Sequence, residues 1–212
     1  MKICYYSMAW LLFFGLIQSS AAVAAPRQHK AAVDCTQFNI DAKSASSLST
    51  ATPPASCKAG SSNGLPIPDP NCTPGAVNPS VKLDVLQNQK FRTACVRDQV
   101  TSLQQKAVTY KTYGIPHPKN NKGPNQTCEL DHLVSLELGG ADSLENIWPQ
   151  CGPDGAALEQ RYFKQKDLVE NYLAHQVKAG AIPLQDAQKG IAKDWTQYLP
   201  AAKEFCRNEF CD

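Results

Sequence analysis

The stretch "CELDHLVSLELGGADSLENIWPQC", residues 128–151, decides how the fold is read. An Asp-His pair, Asp131 and His132, precedes the glycines Gly139 and Gly140; Asn146 follows, and a cysteine closes each end. The punctuation reads as a strand, a Gly-containing loop and a second short strand ending at Pro149. Antiparallel strands bring their outer ends together, so Cys128 and Cys151 are expected to be joined. In the chain-entropy model, closing a loop of this size contributes roughly 3 kcal/mol.

The residue types suit phosphodiester hydrolysis. An attacking water must lose a proton and a departing oxygen must have its charge neutralised. A neutral imidazole does the first near physiological pH, and an oxygen-ligated divalent cation does the second. Asp131 supplies a carboxylate beside His132, and Glu129 lies two residues earlier on the Asp131 side of the strand. Asn146 is placed to lock loop backbone groups with its amide, and the two glycines let the connection turn tightly. Trp148 reads as a core plug under the second strand, with base stacking as the competing role.

Working outward, "GLPIPDPNCTPGAVNP" is proline-rich and reads as an extended, wrapped segment. "VKLDVLQNQKFRTACVRD" is open between short strands and helix. "DQVTSLQQKAVTYKTYG" predicts a helix with Val100, Leu103, Ala107 and Tyr110 on one face and Gly114 as its stop. Downstream, "AALEQRYFKQKDLVENYLAHQVKAG" places Leu158, Tyr162, Val169, Tyr172, Leu173 and Val177 on one stripe that closes at Gly180. "PLQDAQKGIAKDWTQYL" predicts another helix starting near Pro183. The fold class is therefore α+β rather than a parallel sheet.

The ends of the chain carry different signals. Residues 1–25 read as an export signal, with Lys2, the apolar run "MAWLLFFGLI" and small residues before a cleavage point. The apolar run is too short to span a bilayer, so no membrane association is expected. Residues 26–64 read as a flexible Ser/Ala/Pro-rich arm and residues 65–212 as the domain. Of nine cysteines, Cys4 leaves with the signal, and the even remainder reads as disulfides in an oxidising compartment. Cys72 and Cys95 repeat the 128–151 separation and are expected to pair. Cys35–Cys57 and Cys206–Cys211 would account for the rest. The protein is thus expected to be secreted, or periplasmic in a bacterial host.

Net charge is only +2, but it is unevenly spread. Residues 81–128 hold eight Lys/Arg against two Asp/Glu, whereas residues 129–160 hold seven acids and no Lys/Arg. An acidic pocket edged by basic segments suits a cation that meets a polyanion; two solvated faces of opposite sign would look the same.

The motif "ELDHLVSLELGG…LENIWPQ" resembles the ββα-metal, or HNH-type, nuclease motif, in the form found in small secreted microbial proteins. "PDPNCTPGAVNP" and "KDLVENYLAHQVKAGAIPLQDAQKGIAKDWTQYL" extend the likeness over about residues 65–200. The resemblance implies a small ββα-metal core with surrounding helices and a metal-dependent endonuclease acting on DNA or RNA. By it, Asp131 would bind a divalent ion, most often Mg2+, His132 would be the general base, and Asn146 would orient His132. The pattern also places a His or Asn early in the following helix, where this chain has neither. Glu159 is the favoured substitute ligand, because it shares a helical face with Tyr162, Phe163 and Lys166; Asp154 and Gln160 are the alternatives. Arg161, Lys164 and Lys166 are expected to hold phosphates, with little sequence preference and strong salt dependence. Two other readings stand beside it: a non-catalytic binding module with the same fold, and a zinc-dependent hydrolase of another substrate.

Overall fold

The structure is a computed structural model describing residues 33–40, 56–97, 108–208 and 211. The expected export signal, residues 26–32 and 41–55 of the expected arm, and residues 98–107 of the first expected helix lie outside the described residues. Strands β1 (Gly60–Ser62) and β2 (Leu65–Ile67) pair antiparallel. Asn63 and Gly64 between them both take positive φ, 50° and 75°, as a two-residue turn matched to strand twist requires. Part of the expected arm is therefore folded, and the compact unit begins at Val33.

Within residues 81–97 the chain forms α1 (Leu83–Gln87) followed by a 3-10 turn at Thr93–Cys95. Residues 108–112 are helical and stop at Gly114, whose φ is +63°. Strands β3 (Cys128–His132) and β4 (Ile147–Cys151) then pair antiparallel, with Cys128 opposite Cys151 and Asp131 opposite Trp148. The described residues are thus mixed α and β, with two small antiparallel sheets. Helix α2 (Tyr162–Lys178), α3 (Leu184–Asp194) and α4 (Leu199–Asn208) complete them. None of the described helices is long and apolar enough to cross a membrane.

Helix α2 starts later than its composition suggests. Gly152 and Gly155 take φ of +92° and +70°, Leu158–Gln160 makes one isolated 3-10 turn, and Arg161 is extended. Its buried face is Phe163, Lys166, Val169, Leu173, Ala174 and Val177; Tyr172 packs against the core half-buried, as expected, while Leu158 and Tyr162 leave the expected stripe. Val169, Leu173, Ala174 and Val177 join Leu133, Val134, Leu138, Trp148, Ile191 and Trp195 in the main core. Trp148 is the core plug it was expected to be, 1 % exposed.

The connection from β3 to β4 is buried almost throughout, although loops usually run over the surface. Its backbone is clamped by the proline-rich segment. Asn78 N donates to Gly139 O, Ala141 N to Ala76 O and Gly75 N to Glu145 O. A Cβ at Gly140 would lie 1.8 Å from Val134 O, so only glycine fits that approach.

Four disulfides join cysteines among the described residues: Cys35–Cys95, Cys57–Cys72, Cys128–Cys151 and Cys206–Cys211. The hairpin bridge is formed as expected, and so is the C-terminal one. Cys72 and Cys95 are not joined to each other. Cys72 ties the turn after β2 to Cys57 ahead of β1, whose amide bonds Thr112 O, while Cys95 anchors Cys35. Equal sequence separation carried no spatial information; the β1–β2 hairpin brings Cys57 to Cys72.

Candidate active site

Strand alternation splits the Asp-His pair. Partners across an antiparallel ladder share a face, so Glu129 and Asp131 lie with Gln150 and Trp148, while His132 lies with Ile147. The Asp131 face meets helix α2. There the Lys166 ammonium lies 3.0 Å from Asp131 Oδ2, bonds Glu170 Oε1, and donates to the main-chain oxygen of His132 at 2.7 Å. The approach to Asp131 is an ion pair without an aligned hydrogen bond.

Burial governs the charges here. It pushes the Asp131 carboxyl up more than Lys166 pulls it down, and pushes Glu170 up to about 8. Burial also opposes the Lys166 charge, but the two carboxylates outweigh it and hold the ammonium above the ordinary lysine range. Glu129 rises to about 7 through burial, then through repulsion from Asp131 and Asp167. The physical cause is crowding: more carboxylates than cations share a poorly hydrated space.

His132 is engaged from the other side. Its Nε2 lies 2.9 Å from Asp142 Oδ1, and both residues are buried. A carboxylate only accepts, so Nε2 carries the hydrogen and the neutral ring keeps its lone pair on Nδ1. Asn146, wholly buried, fixes the loop that carries Asp142. Its Oδ1 accepts from Val134 N at 2.8 Å, and its Nδ2 donates to Val134 O at 2.9 Å and Ala141 O at 2.8 Å.

Part of this constellation opens on a cleft of about 780 Å3. Glu129, Asp131, His132, Asp167 and Glu170 line it, and so do Arg97 and Lys122 from the basic half of the chain. His117 also lines it, with its ring edge-on to Tyr110 at 4.8 Å between centroids. An imidazole held by a carboxylate, in a cleft with reachable cations, can take a proton from a hydroxyl beside a bound anion.

The remaining expected site residues are placed differently. Glu159, Asp154 and Gln160 are exposed ahead of α2 and do not line the cleft, because the chain breaks at Arg161 before the helix begins. The helix carboxylates that do reach it are Asp167 and Glu170. Arg161 is buried and donates to Pro153 O, and Lys166 is sealed beneath Asp131, so neither presents a free cation to a phosphate. Lys164 is partly exposed but held by Asp167 at 2.7 Å. The cleft is lined instead by Arg97 and Lys122. Sequence reading missed Asp142, Arg97 and Lys122 as site residues; Asp167 and Glu170 were legible from it only as local ion-pair partners of Lys166 on the helix.

The expected Mg2+ can be tested against this arrangement. Asp131 and Glu170 are turned onto Lys166, Asp167 onto Lys164 and His132 onto Asp142. Among the described residues no three His, Cys, Asp or Glu are gathered to hold a metal ion. As placed, the residues do not fit a bound divalent ion.

Compared with known proteins, the chain matches no family model, no curated protein and no solved structure.

Proposed function

We propose that this chain is an exported phosphodiester hydrolase acting on nucleic acid, with His132 as general base. The observation that carries the reading is the 2.9 Å contact between His132 Nε2 and Asp142 Oδ1 in a cleft also lined by Arg97 and Lys122. Supporting it, the Asp-His pair ends the first strand of a hairpin that is followed by a helix, the order expected of ββα nucleases. Four disulfides agree with an oxidising destination.

Each residue has a stated task. Asp142 holds the ring in the tautomer whose Nδ1 is basic, and stabilises the imidazolium once that nitrogen takes a proton from the attacking water. Asn146 pins the loop on which Asp142 rides. Arg97 and Lys122 attract the phosphate backbone, which carries no base identity, so sequence preference is slight. The test is incubation of the purified chain with circular single-stranded DNA, circular duplex DNA and RNA. Cleavage of at least one by wild type, and of none by His132→Ala, is the expected outcome. Cleavage unchanged in the variant overturns the assignment.

A second reading is favoured by one observation: Asp131, the expected ligand, is closed on Lys166. On that reading the domain binds nucleic acid without cutting it. Retention of labelled oligonucleotide with no cleavage by wild type in any divalent ion would select it.

A further inference from the structure

Lys166 is unusual among the cations of the described residues in having no solvent exposure at all. Lysine is almost never fully buried unless it is paired, and here the pairing is with the cleft itself. Three oxygens surround its ammonium: Asp131 Oδ2 at 3.0 Å, the His132 carbonyl at 2.7 Å and Glu170 Oε1. They come from a strand and a helix, and the set of two carboxylates and a carbonyl is one that hard divalent cations also take.

We propose that Lys166 is the resident cation of this cleft, its single charge set against Asp131 and Glu170 in the place a divalent ion would take. A second cation on Asp131 would stand within a few ångströms of the ammonium, and like charges in a buried site repel strongly. The tether also matters. An ammonium carried by α2 does not dissociate, so its charge stays beside the carboxylates whatever the ion supply. This charge balance holds whether or not His132 acts as a base, so it stands apart from the hydrolase reading.

The test is a Mn2+ titration of the full disulfide-bonded chain, followed by the electron paramagnetic resonance signal of the free ion. Wild type is expected to leave that signal unchanged into the millimolar range. Lys166→Met removes the ammonium and keeps the carboxylates, and is expected to take up Mn2+ saturably and to melt at a higher temperature in its presence. Saturable uptake by wild type that Asp131→Asn abolishes would overturn the proposal, and so would a folded Lys166→Met that takes up none. Should Lys166→Met fail to fold, the wild-type and Asp131→Asn titrations decide alone. No substrate is present, so a chain that cuts no nucleic acid contradicts the hydrolase reading without touching this result.

Discussion

His132 Nε2 and Asp142 Oδ1 are 2.9 Å apart, joining the last residue of β3 to the loop that returns the chain to β4. Ten residues separate them in sequence, and the contact exists because the loop is folded back and buried. Replacing Asp142 by Asn keeps the size and lets the amide present the wrong partner to Nε2. The expected result is a fall in kcat on the order of 10²- to 10⁴-fold with KM little changed, the range that general-base catalysis contributes. A matching rise in KM instead would assign Asp142 to substrate binding.

Asn146 holds that loop through three hydrogen bonds. Asn146→Ala leaves Val134 N, Val134 O and Ala141 O without their side-chain partner, at about 1–3 kcal/mol for each buried group left unpaired. Asn146→Asp keeps the acceptor for Val134 N but sets a carboxylate oxygen against two carbonyls. Urea denaturation should therefore show both variants destabilised, and Asp no better than Ala despite being nearly isosteric.

The hairpin and its bridge were legible because strand ends, loop glycines and terminal cysteines all pointed to one pairing. Asn146 was legible as a loop lock for the same reason. Asp142 was not: it lies in a loop without periodicity, and only the folded-back path brings it to His132. Lys166 was misplaced because charged residues on an amphipathic helix are normally read as its wet face. Its burial follows from Glu170, four residues on along the helix, and from Asp131, which no local pattern connects to it from the strand. Glu159 failed as a ligand because the helix boundary fell at Arg161, and boundaries depend on turn geometry more than on apolar spacing.

Glu129 carries a pH signature. Its carboxyl is raised from 4.5 to about 7, so between those values the folded chain keeps a proton that the unfolded chain releases. Stability from this group is complete below 4.5 and is lost as pH rises through 7. Glu129→Gln stays neutral throughout. Thermal melts near pH 4 should match wild type, whereas near pH 8 the variant should melt higher; a variant that melts lower near pH 8 would contradict the assignment.

Arg97 and Lys122 replace the helix cations as expected phosphate contacts. Arg97→Ala and Lys122→Ala should each weaken oligonucleotide binding and lower the slope of log affinity against log salt by about one. Lys82→Ala, outside the cleft, should change neither quantity. Fluorescence anisotropy across a salt series measures both.

The central claim is that the imidazole of His132 removes a proton from the attacking water. Single-turnover cleavage of a labelled oligonucleotide by His132→Gly, with and without added imidazole, tests it most directly. A loss on the order of 10²-fold or more, partly restored by imidazole as its neutral form accumulates with pH, is the predicted result. Cleavage by His132→Gly at the wild-type rate without imidazole would contradict it.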